Sequence, residues 1–125
     1  MNILGIDYGE KRIGLAWVQD GLDVVLPFGQ LAHDGTVYDA LTTLTKEEGI
    51  DVIVVGLPLG MDGGENENTA RVRAFATTLS VETGLPVELS DERFSSRQAD
   101  AMGGDVSRDE KSAMVILQSY MEKKK

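Results

Sequence analysis

The 125-residue chain has no cysteine and a single histidine. The first absence excludes a disulfide framework and any thiolate zinc site, and it fits a reducing, cytoplasmic setting. The second speaks against a histidine-based triad or zinc centre. His33 lies in a polar stretch with Asp34 and Gly35 and reads as a surface loop residue. No apolar run approaches the ~20 residues that span a bilayer. No basic segment followed by a long apolar one reads as a signal peptide. A Walker-type phosphate loop is missing as well, since nothing matches GxxxxGK[ST]. Bases are scarce: 12 Lys and Arg stand against 21 Asp and Glu, for a net charge of −9. The basic balance usual in nucleic-acid binders is therefore absent, although a local basic groove can sit on an acidic protein. The tail Lys123 to Lys125 reads as a solvated helix end whose cations complement the helix dipole.

What is present starts with ILGIDYGEKRIG, residues 3 to 14. An aliphatic run carries one carboxylate, Asp7, and breaks into a glycine-flanked turn with Lys11 and Arg12 at its tip. A strand this apolar is expected to be buried, and a carboxylate within it is costly unless a metal or cation neutralises it. The same aspartate could instead serve the turn before Gly9.

The length suits one domain, 1–125, with one core. Asn2 to Tyr8 and Arg12 to Val18 read as a hairpin, and Leu22 to Leu31 as a third strand, with Pro27 favouring an edge position. Tyr38 to Glu48 has helical spacing and a stop at Gly49. Asp51 to Gly56 is β-branched and apolar throughout, as a central parallel strand would be. Leu57 to Glu65 reads as a loop. Asn68 to Thr83 carries the stripe Val72, Phe75, Ala76 and Leu79 and stops at Gly84. Pro86 to Ser90 reads as a last strand. Ser95 or Ser96 could cap a helix to about Met102, and Ser107 or Asp109 starts a final one. A three-strand antiparallel meander followed by alternating helices and strands predicts a mixed five-stranded α/β sheet with helices on both faces, the order of a ribonuclease H-like fold.

Three carboxylates fall at element ends: Asp7, Glu92 and Asp109. Meeting at one site, they would suit a hard divalent cation such as Mg²⁺. Each also has a plainer reading. Glu92 lies in a charge run with Asp91 and Arg93, and Asp109 could simply cap its helix. Lys11 and Arg12 could touch a phosphate backbone or be an ordinary charged hairpin tip. Arg71 and Arg73 could be the polar face of their helix, and Arg93 could bind a phosphate or pair with an acid.

Four blocks occur in order: GIDYGEKRIGLA (Gly5 to Ala16), VVGLPLGMDG (Val54 to Gly63), DERFSS (Asp91 to Ser96) and DEKSAMVILQSYM (Asp109 to Met121). Together they resemble the YqgF family, also called RuvX, a RuvC-like group of the ribonuclease H superfamily. That family is described as candidate nucleases of pre-16S rRNA and, earlier, as candidate Holliday junction resolvases. The resemblance implies Mg²⁺- (or Mn²⁺-) dependent phosphodiester hydrolysis with Asp7, Glu92 and Asp109 as catalytic metal ligands. It makes Lys11, Arg12, Arg71 and Arg93 candidate nucleic-acid contacts. Structured RNA, the 16S rRNA precursor, is the partner it implies first, with a DNA junction as the alternative, for a monomer or homodimer with no membrane role. The segment Met102 to Arg108 is shorter and less basic than is usual there. With the acidic balance, it supports a second alternative, a non-catalytic binding module in ribosome assembly or transcription.

Overall fold

The computed structural model describes residues 1–19, 24–58, 64–91 and 108–124. Five strands and three helices are defined there: β1 (Ile3–Asp7), β2 (Arg12–Val18), β3 (Val25–Ala32), α1 (Val37–Glu47), β4 (Val52–Leu57), α2 (Glu67–Thr83), β5 (Val87–Asp91) and α3 (Arg108–Lys124). The expected helix from Ser95 or Ser96, and most of the expected loop after Leu57, lie outside the described residues.

The sheet order is β3-β2-β1-β4-β5. β1, β2 and β3 pair antiparallel, while β4 runs parallel to β1 and β5 parallel to β4. β3 is an edge strand, which is where Pro27 can sit without withholding a ladder N–H. β4 is central, and five of its six residues are buried. This accounts for its unbroken apolar run. Because β1, β4 and β5 are parallel, their C-terminal ends, including Asp7 and Asp91, share one end of the sheet.

The two faces carry separate cores. Leu4, Ile6, Ile13, Leu15, Ile53 and Val55 point toward α1 and α2, where Leu41, Val72, Phe75 and Leu79 complete the cluster. Ile3, Ala16, Val18 and Val54 point the other way and pack on Ala113, Ile116 and Leu117 of α3. Strand alternation divides the two sets. Each large aliphatic side chain buried here contributes ~1.5–3 kcal/mol. The stripe read for α2 is the one buried, and α2 starts with a reciprocal Asn66–Thr69 capping box. Gly49 and Gly84, in left-handed conformation, follow α1 and α2. No described helix is long and apolar enough to cross a membrane.

Candidate active site

Asp7 is the last residue of β1 and pairs with Gly14 of β2. Two residues back, Gly5 faces α3: a Cβ there would lie 3.0 Å from Leu117 Cβ. Alternation therefore turns Asp7 toward the α3 side of the sheet. Asp109 reaches the same place from the first turn of α3. A Cβ on Gly14 would fall 2.0 Å from the Asp109 carbonyl oxygen and 2.9 Å from its Cβ. No side chain larger than hydrogen fits at position 14. Opposed Cβ positions in an antiparallel pair lie ~4.5–5.5 Å apart, so the Asp7 and Asp109 Cβ atoms lie within roughly 8 Å of each other. Residues separated by most of the chain thus start side by side, on one face.

Arg12 completes this group. Its Nε donates to Asp109 Oδ2 at 3.2 Å, with the arginine side chain 64% exposed and the aspartate 32%. A pair this open adds little to stability. Its effect is local: one cation sits against Asp109, on the face that Asp109 shares with Asp7.

The third expected ligand, Glu92, and the expected phosphate contact Arg93 lie outside the described residues. β5 ends just before them, at the same end of the sheet as Asp7. Among the described residues, no three acids or imidazoles gather as a metal cage; the pair is Asp7 and Asp109. The donors present nevertheless fit a hard cation, because they are carboxylate oxygens on one face. Ser90 adds to this. It pairs with Gly56, the residue after Val55, and Val55 pairs with Ile6. Ser90 therefore stands level with Asp7, two strands away. Its hydroxyl is buried, at 4% residue exposure, and has no hydrogen-bond partner among the described residues. Glu88, two residues earlier, accepts from Tyr120 of α3, so Ser90 shares the α3 face.

The hairpin turn next to Asp7 is fixed from the opposite face. His33 Nδ1 donates to Gly9 O at 2.6 Å, and its backbone N–H donates to Lys11 O at 2.9 Å. The ring packs edge-on to Tyr8, with centroids 4.8 Å apart, and Tyr8 packs in turn on Phe75 at 5.0 Å. His33 is thus half-buried and structural, rather than the plain surface residue expected from its polar neighbours. The Nδ1 contact is to a carbonyl, so Nδ1 carries the proton.

Lys11 is exposed at the tip of the turn. Arg71 pairs with Glu10 at 3.4 Å and lines an open cleft of about 620 Å³ between the turn (Tyr8, Gly9, Glu10) and the start of α2 (Asn66, Asn68). Arg73 is engaged elsewhere. It donates twice to Glu65, at 2.7 and 2.9 Å, and this holds the Glu65 carboxyl below its ordinary range.

Sequence reasoning missed Glu110. Its Oε2 accepts from the backbone N–H of Gly29 on β3 at 2.8 Å, 81 residues away. It missed Gly14 too, although a glycine inside a strand is a signal of close backbone approach.

The RuvX family, described as "Holliday junction resolvase", matches residues 1–123. A Pelotomaculum thermopropionicum protein named "Putative pre-16S rRNA nuclease" is 36% identical, over 98% of this chain and 87% of its own length. A Geobacillus thermodenitrificans protein of the same name is 36% identical over the whole of both chains. Among solved structures, Thermus thermophilus RuvC in complex with a Holliday junction substrate superposes with a TM-score of 0.70 at 15% identity, covering 97% of this chain and 93% of that one. The fold is therefore the ribonuclease H-like fold of RuvC. With the family match running almost end to end and relatives above one-third identity, the chain belongs to the RuvX (YqgF) family.

Proposed function

We propose that this chain is a divalent-metal-dependent nuclease that hydrolyses phosphodiester bonds of structured RNA, with the precursor of 16S rRNA as substrate. The observation carrying this reading is the seating of Asp109 on Gly14, across the ladder from Asp7. It brings two distant carboxylates to one face of a rigid sheet. The names of the relatives support the choice of substrate.

In this reading Asp7, Glu92 and Asp109 hold Mg²⁺ or Mn²⁺. The bound metal supplies an activated water and stabilises charge on the leaving oxygen. The chain's own residues hold and orient. Asp7 is fixed by the β1–β2 ladder, and Asp109 by the contact of α3 with Gly14. Arg12 offsets the repulsion between the two acids, and its guanidinium at the rim suits a phosphate. Lys11, Arg71 and Arg93 are the remaining backbone contacts, with the cleft beneath Arg71 as a path for a strand.

The deciding assay compares a precursor-rRNA fragment with a four-way DNA junction, with and without Mg²⁺, using the wild type and Asp7→Asn. Cleavage of the RNA that requires both metal and Asp7 is the expected result. Cleavage of the junction alone would move the substrate to DNA. No metal-dependent cleavage of either would overturn the nuclease in favour of a non-catalytic binding module.

A further inference from the structure

Asp109 enters the site on a helix, and a helix can roll about its own axis. Its contact with Gly14 sets how deeply α3 sits on β2, but one contact does not fix the roll. A second anchor lies one residue along. Glu110, about 100° further round the helix, accepts the Gly29 N–H through Oε2 at 2.8 Å.

That N–H is available for a specific reason. The β2–β3 register slips here: Leu15 pairs with Gly29 while Ala16 pairs with Pro27, so Phe28 is the extra residue of a β-bulge. Gly29 has φ +103°, a conformation that side-chain-bearing residues rarely adopt. The bulge turns a backbone donor out of the ladder, and Glu110 meets it. Gly14 itself pairs with Gln30, the neighbour of Gly29. The two anchors of α3 thus rest on adjacent positions of the same sheet region.

We propose that Glu110 is a positioning residue that sets the roll of the first turn of α3 and thereby aims the Asp109 carboxylate toward Asp7. This rests on the metal-site reading above. The bond needs only an acceptor oxygen at that position. Glu110→Gln keeps such an oxygen, and Glu110→Ala removes it.

The test uses the full chain and two NMR readouts. The first is hydrogen exchange of the Gly29 amide, which reports the tether without any metal. Protection is expected in the wild type and Glu110→Gln, and exchange at least tenfold faster in Glu110→Ala. The second is Mn²⁺ titration. Paramagnetic broadening is expected to reach the Asp7 and Asp109 amides together in the wild type and Glu110→Gln. In Glu110→Ala both signals should need at least tenfold more metal to broaden, because the site loses one aimed carboxylate. A merely structural role would lower the melting temperature of Glu110→Ala and leave the Mn²⁺ midpoint of the two signals unchanged, which overturns the proposal. Unchanged Gly29 exchange in Glu110→Ala overturns it too. If Mn²⁺ broadens neither signal in the wild type, the metal reading itself fails, and the role given to Glu110 fails with it.

Discussion

Gly14 lies directly beneath the backbone of Asp109, so close that a methyl group in place of its hydrogen would fall 2.0 Å from the Asp109 carbonyl oxygen. The strand cannot yield, because Gly14 pairs on one side with Asp7 and on the other with Gln30. Gly14→Ala must therefore push the start of α3 outward. Overpacking of this kind costs ~1–3 kcal/mol, to be read by urea unfolding. A displaced Asp109 further predicts that cleavage falls by more than the stability change explains, when assayed well below the melting temperature.

Asp7→Asn removes one of two adjacent carboxylates while keeping its size. In the absence of metal its melting temperature should equal or exceed that of the wild type, since charge repulsion is relieved. Mg²⁺ at millimolar concentration should raise the wild-type melting temperature by linkage and leave the variant unmoved. Cleavage should fall ~10³-fold or more, several kcal/mol of lost transition-state stabilisation. An equal Mg²⁺ shift in both proteins, measured by differential scanning fluorimetry, would remove Asp7 from the ligand set.

Arg12 sits where a cation is wanted, against Asp109 at 3.2 Å. Arg12→Ala should cost ~0.2–1 kcal/mol in the metal-free protein, the range for an exposed pair. It should also tighten Mn²⁺ binding several-fold, because a competing positive charge is gone, and weaken RNA binding in a filter assay. Looser Mn²⁺ binding in the variant would contradict the competition.

His33 carries the turn through two bonds, from Nδ1 to Gly9 O and from its backbone N–H to Lys11 O. His33→Ala deletes the first bond and the ring contacts with Tyr8 and Phe75. A loss of ~1 kcal/mol from the hydrogen bond, with more from the packing, is expected in denaturant unfolding. Gly9 and Lys11 amide exchange should quicken more than exchange in β4.

Acid should act on α1 through Asp34. Its Oδ1 accepts from the Thr36 hydroxyl and the Thr36 N–H, and these bonds hold its carboxyl below the ordinary value of 3.8. A lowered folded-state value means that the contribution is complete above 3.8 and disappears as the pH falls through that lower value. Melting curves of wild type and Asp34→Ala should therefore differ at neutral pH and converge in strong acid. A gap that widens on acidification would contradict the sign.

The layout of the sheet was legible because its strands announce their burial. β4 is apolar throughout and is buried on both faces, while Pro27 marked β3 as an edge. The α2 stripe was legible by its helical period. Asp7 stood out as a charge in an apolar strand, and Asp109 as a carboxylate at the start of a helix. Glu110 and His33 were not legible, for a common reason. Each is bound to backbone atoms of residues 81 and 24 positions away, and a backbone N–H or C=O has no signature in an amino-acid sequence. The bulge at Gly29 was hidden in the same way, since it exists only as a slip between two strands.

The separation of the two cores has a thermal consequence. Asp7 belongs to a strand gripped from both faces, whereas Asp109 belongs to the only described helix on its side, held by the smaller described cluster. Local opening follows cooperative units rather than the whole chain, so the two faces can open separately. On warming, detachment of α3 would leave a folded sheet still backed by α1 and α2 but catalytically mute. Enzymatic inactivation would then precede the calorimetric transition, and recovery on cooling would be as fast as one helix can re-dock.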